Sequence, residues 1–294
     1  MTKPTLSKTK AGPFELFVIE AGRFRLDGGS MFGVVPKTLW ERKIKADGKN
    51  RIPMAMRCLL IRSESTGNVY LIDNGAGDKF NEKMSSIYAL DYKHSDLVRS
   101  LKACGLSPKD VTDIIFTHLH FDHGGGTTFY NDKDELQHRF PNATYHVNKR
   151  HMLTALNPNE REKASFFPDN IQPLAESERL HLVNDHHIYE KGLYSIPADG
   201  HTSGQQLPVI EAGGKTIVFA ADLIPTYAHV PMPWVMGFDM MAIQTIKEKK
   251  QYLDEAIDNH WYFFLEHDAE HEVITVKKEN GKYAVDQILT LNDL

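Results

Sequence analysis

The segment 117–123, Thr-His-Leu-His-Phe-Asp-His, constrains the fold of this chain more than any other stretch. It places three histidines and one carboxylate within six residues, directly after the apolar, strand-like run Asp113–Phe116. Because side chains alternate along an extended segment, His118 and His120 lie on one side of it, and a turn can bring the next two polar residues to the same cavity. Imidazole and carboxylate groups are ligands of zinc, iron and manganese ions. Four such groups exceed what one tetrahedral site takes from so short a segment, so the run predicts two metal ions.

Three further candidate ligands lie downstream, and each follows a strand-like segment. His201 sits in the stretch Ala-Asp-Gly-His-Thr-Ser-Gly, Asp222 ends an apolar run that begins at Thr216, and His267 ends another that begins at Tyr262. A histidine-rich surface loop is the alternative interpretation of the 117–123 segment. The repeated placement of candidate ligands after strands favours a shared cleft instead.

This pattern of residues resembles the ligand pattern of the metallo-β-lactamase-fold hydrolases, which is His-x-His-x-Asp-His followed by His, Asp and His. The resemblance runs from about Phe14 to about Ile288. It implies one metal held by His118, His120 and His201. It implies a second metal held by Asp122, His123 and His267, with Asp222 and a water or hydroxide bridging the two ions.

The resemblance implies an α+β fold, a four-layer αββα sandwich with the metals at one edge of the sheets. Strand-like and then helix-like patterns in each half of the chain fit this fold. We expect a flexible tail over residues 1–13 and a single domain over residues 14–294. Within that domain we expect a strand pair over Phe14–Leu26 with a turn at Glu20-Ala21-Gly22, and a C-terminal hairpin turning at Asn280-Gly281.

A narrower resemblance concerns the segments Asp27–Trp40 and Ala221–Thr226, which are similar to YtnP-type quorum-quenching lactonases. It implies hydrolysis of a lactone ring, with N-acyl-homoserine lactones as leading substrates, and, by analogy, a homodimer. Two divalent ions about 3.5–4 Å apart can share a bridging hydroxide and generate it at neutral pH. Zinc is the first choice of metal, and manganese, iron and cobalt are alternatives with the same ligand chemistry.

Two residues are candidates for catalysis beyond metal binding. Asp122 is a candidate proton donor to the departing alkoxide. Some related lactonases carry a tyrosine three residues after the bridging aspartate; Pro225 stands there in this chain, so Tyr227 is the candidate for that role. His229 follows closely, with a pocket wall or surface position as its alternative.

Other polar residues and apolar segments near the motifs allow more than one interpretation. Asp73 is a candidate acceptor for the free ring nitrogen of a metal-bound histidine, or simply a residue of a turn. The apolar segments Met31–Pro36 and Val230–Met241 either line an acyl pocket, form a dimer contact or pack in the core. His186, His187 and His271 are expected at solvated surface positions.

Several competing functions remain open at this level. Within the enzymes they are hydrolysis of aryl esters or phosphotriesters, of thioesters as in glyoxalase II, or of β-lactams; outside the enzymes, the alternative is a metal-bound sensor without activity. The net charge of −5 offers no basic surface for nucleic acid. The N-terminus lacks the apolar segment of an export signal, and no apolar run has the length of a membrane span. With only Cys58 and Cys104 present, both in apolar contexts, we expect a cytoplasmic protein that binds a small molecule and neither nucleic acid nor membrane.

Overall fold

The computed structural model describes residues 6–294 and contains two seven-stranded sheets and a two-stranded ribbon. The strands of the first half are β1 (Lys8–Ala11), β2 (Phe14–Asp27), β3 (Arg51–Ser63), β4 (Val69–Ile72), β5 (Asp113–Ile115), β6 (Thr128–Tyr130), β7 (Leu136–His138), β8 (Thr144–Asn148) and β9 (Leu180–Val183). The strands of the second half are β10 (Ile188–Glu190), β11 (Leu193–Pro197), β12 (Gln206–Ala212), β13 (Lys215–Phe219), β14 (Tyr262–Phe264), β15 (Val273–Glu279) and β16 (Lys282–Leu289). The first sheet has the order β1-β2-β3-β4-β5-β8-β9, the second runs from β10 to β16 in sequence, and β6 pairs with β7.

Eight α-helices accompany the sheets in the part of the chain that the structure describes. They are α1 (Gly28–Phe32), α2 (Lys37–Trp40), α3 (Glu82–Tyr88), α4 (Leu97–Ala103), α5 (Phe121–Gly124), α6 (Lys149–Leu156), α7 (Pro168–Ala175) and α8 (Ala242–Asn259). Short 3₁₀ turns lie at Pro108–Asp110, Gly125–Thr127, Lys163–Ser165, Ala221–Leu223, Tyr227–His229 and Leu291–Asp293. No helix within residues 6–294 combines the length and apolar character that crossing a membrane requires.

Two buried apolar clusters hold these layers together. One lies between the sheets, where Leu16 and Leu59 of the first sheet pack with Phe219 and Phe263 of the second. The other lies on the opposite face of the first sheet, under α4, α6 and α7. Complete burial of a leucine or phenylalanine side chain stabilises the fold by about 1.5–3 kcal/mol. Since α8 packs on the second sheet, the predicted αββα sandwich is confirmed.

The direction of the central strands determines where the loops meet. In the first sheet β4, β5 and β8 are parallel, and in the second sheet β13 and β14 are parallel. Carboxyl ends of parallel strands point to the same edge of a sheet, so the segments after β5, β13 and β14 can converge there. All the candidate ligands predicted from the sequence lie in such segments or in the loop between β11 and β12.

The N-terminal region departs from the predictions in two ways. The strand pair expected over Phe14–Leu26 is wrong, because β2 runs continuously to Asp27 and pairs with β3 along its length. Its register shifts between Glu20 and Arg23, and Gly22 lies there at φ +138°, so the Glu-Ala-Gly sequence forms a bulge rather than a turn. The flexible tail is also wrong for Lys8–Ala11, which forms β1 against β2; residues 1–5 lie outside the described part of the chain. The single-domain assignment stays a prediction.

The C-terminal hairpin agrees with its prediction. β15 pairs with β16, and the two residues between them, Asn280 and Gly281, have φ values of 50° and 75°. Positive φ at both central positions is the requirement of a type I′ turn, which explains the Asn-Gly sequence at this point.

Candidate metal centre

The structure brings all seven predicted ligands to one edge of the sandwich. His118 and His120 follow β5, and the short helix α5 turns the chain so that Asp122 and His123 face the same place. Three other segments supply the remaining ligands. His201 lies in the loop after β11, Asp222 in the 3₁₀ turn after β13, and His267 in the segment after β14. All seven side chains are buried.

The seven side chains form two groups that share a boundary. His118, His120, His201 and Asp222 offer one ligand atom each, and these atoms all lie within 4.8 Å of one another. Asp122, His123 and His267 form a second group with the same property. Asp222 lies between the groups, since its Oδ2 is 3.0 Å from Nε2 of His201 and its Oδ1 is 3.2 Å from Nε2 of His267.

Bare ring nitrogens converge within each group. In the first group Nδ1 of His120 lies 3.1 Å from Nε2 of His118 and 3.1 Å from Nε2 of His201. In the second group the Nε2 atoms of His123 and His267 are 3.0 Å apart. Tetrahedral ligands with metal–nitrogen bonds of about 2.1 Å are separated by roughly 3.4 Å, so these spacings fit an ion placed between the rings.

The Asp222 carboxylate contains a buried oxygen that makes no well-aligned hydrogen bond. Asp222 Oδ1 is shielded from solvent, and its contact with Nε2 of His267 at 3.2 Å does not have hydrogen-bond geometry. A buried carboxylate oxygen left in this way is costly unless a cation compensates it. The mixed imidazole and carboxylate chemistry of the converging donors, with this buried oxygen among them, fits divalent metal ions.

The charges of the centre compensate one another through Asp222. Burial lowers the pKa of His201, but the Asp222 and Asp239 carboxylates more than offset it and raise that pKa to about 10. Burial acts likewise on His267, and Asp222 with Glu266 raises its pKa to about 9. Burial by itself raises the pKa of Asp222, yet the neighbouring imidazoles hold it well below its usual range. The carboxylate therefore stays ionised at the centre of the cluster.

Each histidine directs its other ring nitrogen to an acceptor outside the cluster. Nδ1 of His123 lies 3.0 Å from Asp73 and 3.0 Å from Glu266, and Nδ1 of His201 lies 3.0 Å from Asp239. Two further contacts are Nδ1 of His118 with the Thr117 hydroxyl at 3.0 Å, and Nδ1 of His267 with the Ala55 carbonyl at 2.9 Å. Such contacts fix the tautomer and the orientation of a metal-binding ring. Asp73 thus occupies the position suggested for it by the sequence.

Sequence reasoning missed Glu162, which approaches the cluster from the segment before the 3₁₀ turn at Lys163–Ser165. Its Oε1 lies 3.2 Å from Nε2 of His120, and it also accepts a hydrogen bond from the Thr202 hydroxyl. The surrounding sequence, Asn-Glu-Arg-Glu-Lys, has the composition of a solvated surface and carries no signal of this role. Asp239 was detectable, because it is an isolated carboxylate within an apolar segment.

Sequence reasoning also missed His151, a buried residue of α6. The backbone N–H of Leu119 donates to its Nε2 at 2.7 Å, and its Nδ1–H donates to the Ser203 carbonyl at 2.9 Å. Burial lowers the pKa of His151 to about 3, which keeps the ring neutral and able to accept the first bond. His151 therefore connects the segment that carries His118 and His120 with the loop that carries His201.

The structure does not bring Tyr227 or His229 to the ligands. The Tyr227 hydroxyl donates to the Lys43 carbonyl at 2.8 Å, so the catalytic role predicted for Tyr227 finds no geometric support. His229 is buried, donates from Nε2 to the Met31 carbonyl at 2.8 Å and stacks on Phe32 with 4.6 Å between ring centroids. His229 therefore lies neither in the pocket wall nor on the surface, the two positions that the sequence suggested, and its role is structural, in the core.

A cavity of about 350 Å³ opens onto the cluster. Among the residues that line it are the candidate ligands His120, Asp122, His201, Asp222 and His267, and the mostly apolar residues Leu26, Met31, Met54, Tyr88, Phe121, Met236, Phe238 and Met240. The two apolar segments noted in the sequence therefore contribute to its wall. Phe32 and Trp234 of those segments instead pack against each other, with 5.7 Å between ring centroids.

Comparisons with known proteins give relatives of this chain. It is 24% identical over 272 residues to an N-acyl homoserine lactonase from a Bacillus species, covering 88% of this chain and 94% of the relative. It is 26% identical over 160 residues to the N-acyl homoserine lactonase AttM of Rhizobium radiobacter, covering 53% of this chain and only about half, 57%, of that relative's length. Among solved structures, a probable metal-dependent hydrolase from Staphylococcus aureus superposes with a TM-score of 0.85 at 27% identity, covering 96% of this chain and 98% of that one.

The family of the chain follows from a match over most of its length. A model described as the metallo-beta-lactamase superfamily matches residues 57–261. That range contains six of the seven clustered side chains and ends shortly before the last, His267. With the sandwich fold and the paired histidine and aspartate groups at its edge, this match shows that the chain is a hydrolase of the metallo-β-lactamase superfamily.

Proposed function

We propose that this protein is a dinuclear metal-dependent hydrolase that opens lactone rings, with N-acyl-homoserine lactones as the leading substrates. The observation that carries the proposal is the pair of ligand groups that share Asp222 at the base of one cavity with an apolar wall. Relatives of this chain are named N-acyl homoserine lactonases, which supports the substrate class.

The ligand assignment follows the two groups. His118, His120 and His201 would hold one ion, and Asp122, His123 and His267 would hold the other, with Asp222 within reach of both groups. When bound, two divalent ions would supply a nucleophile from water at neutral pH and would polarise the carbonyl under attack. Zinc suits these donors best, and manganese, iron and cobalt are compatible with them.

The residues of the chain position the substrate and handle the proton. Met236, Phe238 and Met240 form an apolar wall that binds the acyl chain and excludes water from the reacting ester. Asp122 lies at the boundary of the cavity and the ligand group, where its carboxylate can accept the proton lost by the attacking water and pass it to the departing alkoxide oxygen. Tyr88 also lines the cavity; burial, with a smaller effect of Asp122, raises the pKa of its phenol, so the hydroxyl remains a hydrogen-bond donor.

A substrate panel tests the proposal. Zinc-loaded protein is assayed with N-acyl-homoserine lactones, simple lactones, aryl esters, phosphotriesters, thioesters and β-lactams, and kcat/KM is compared. We expect the acylated homoserine lactones to be fastest. If another class were hydrolysed faster, the substrate assignment would be wrong although the dinuclear mechanism would stand, and a zinc-loaded protein inactive on the whole panel would favour a sensor.

A further inference from the structure

A second cluster of three histidines lies outside the dinuclear centre. It consists of His146 on β8, His181 on β9 and His187 just before β10, and we call it the trihistidine cluster. One ligand nitrogen from each ring lies within 4.8 Å of those of the other two. None of these residues belongs to the two ligand groups described above.

The fold explains why these rings meet. His146 and His181 are direct partners in the parallel register of β8 and β9, so their side chains stand next to each other on one face. β9 is the edge strand of the first sheet and β10 is the edge strand of the second. His187 therefore reaches the other two rings across the gap between the sheets, at the side of the sandwich.

The hydrogen bonding of His146 points to a missing ligand. Its Nε2 lies 2.8 Å from Oδ1 of Asp113, while its Nδ1 is buried without a hydrogen-bond partner, in a residue that is only 7% exposed. A metal-binding histidine typically donates one ring N–H to a carboxylate and offers the other nitrogen to the ion. His146 makes the carboxylate contact of this arrangement, and its Nδ1 is a buried polar atom without a partner.

The other two rings of the cluster are accessible to an ion from solvent. His181 is exposed and His187 is half-buried, so solvent reaches the cluster from the side of the sandwich. Burial and the proximity of His146 and His181 lower the pKa of His187, which favours the neutral imidazole that binds metal. The solvated position expected for His187 from the sequence is thus only partly correct.

We propose that the trihistidine cluster binds a divalent transition-metal ion of the zinc, nickel or copper class, with Asp113 orienting His146. Three neutral imidazoles and one water molecule together supply the four ligands that such ions accept. The bound ion connects the edge strands of the two sheets, and because it binds only the folded chain it stabilises the fold.

The test is the zinc content of holoenzyme variants after dialysis against buffered micromolar free zinc, measured by mass spectrometry. His187→Ala and His181→Ala should each bind one zinc per chain less than the wild type. His186→Ala is the matched control, because this exposed neighbour lies outside the cluster, and it should retain the wild-type content. Asp113→Asn should weaken zinc binding at this site by roughly 10–100-fold.

A second measurement covers variants that fold poorly. The melting temperature of the wild-type holoenzyme should rise on addition of zinc beyond two equivalents, and this rise should be absent in His181→Ala. Equal zinc content in the wild type, His181→Ala and His187→Ala, or no rise in the wild-type melting temperature, would overturn the proposal.

Discussion

Replacing His151 by alanine should destabilise the protein and loosen its metal centre. The substitution removes the acceptor of the Leu119 N–H and the donor to the Ser203 carbonyl, both in a region where the His151 side chain is only 1% exposed. Each buried group left without its partner costs about 1–3 kcal/mol. With the space vacated by the ring, we expect the free energy of unfolding to fall by about 3–5 kcal/mol.

His151→Gln is the informative companion variant. A glutamine carbonyl can still accept from the Leu119 N–H, whereas alanine cannot, so this variant should recover about 1–2 kcal/mol of the loss. The hydrogen bond from the Leu119 N–H to the residue 151 side chain fixes the segment between His118 and His120. The alanine variant should therefore also release zinc to a chelator more readily than the glutamine variant.

Urea denaturation of the zinc-loaded proteins, followed by circular dichroism, measures the first effect, and a colorimetric zinc chelator measures the second. A loss below about 1 kcal/mol for His151→Ala would refute the reasoning, since both buried partners would then be satisfied without the ring. Equal stability and equal zinc release of the two variants would show that the hydrogen bond from the Leu119 N–H contributes neither to stability nor to zinc retention.

Three further predictions follow from individual side chains. Asp122→Asn, assayed at saturating zinc because the residue is also a proposed ligand, should lower kcat by roughly 10²-fold or more, as expected for loss of the proton-transfer group; unchanged turnover at full metal content would disprove that role. Phe238→Ala should lower kcat/KM for a decanoyl substrate by roughly 5–30-fold, which corresponds to about 1–2 kcal/mol of lost apolar contact, and should have little effect on a butanoyl substrate. Trp234→Phe, a substitution away from the cavity, should affect both substrates alike. Burial lowers the pKa of His229 to about 3, so as pH falls below about 6.5 this histidine is protonated in the unfolded chain but stays neutral in the folded chain. The free energy of unfolding of the wild type should therefore decrease by about 1.4 kcal/mol per pH unit relative to that of His229→Phe. Parallel pH profiles of the two proteins in urea denaturation would contradict this.

The ligand positions could be predicted from the sequence because their geometry is local. Alternation along an extended segment places His118 and His120 together, and strand ends place the other ligands at one edge. The surrounding partners could not be predicted in this way, because Glu162 and His151 come from segments that tertiary folding alone brings to the cluster. Nothing in their local sequence distinguishes them from ordinary polar residues.

Two other misjudged features also depended on long-range packing. The bulge at Gly22 has the same local sequence as a turn, and only the pairing of β2 with β3 on both sides of it distinguishes the two. Tyr227 lies close to Asp222 in sequence, but the 3₁₀ turn Tyr227–His229 and the contact with the Lys43 carbonyl place its hydroxyl elsewhere. Sequence proximity to a ligand is therefore a weak predictor of position in the cavity.

Metal titration with activity as the readout tests the dinuclear account most directly. Metal-stripped His181→Ala protein, in which the trihistidine cluster is incomplete, receives zinc in steps, and hydrolysis of an N-acyl-homoserine lactone is measured after each addition. Because the mechanism requires both ligand groups to be filled, the account predicts that activity reaches its maximum at two equivalents of zinc and that a third equivalent adds none. Full activity at one equivalent, or no hydrolysis with two bound, would contradict it.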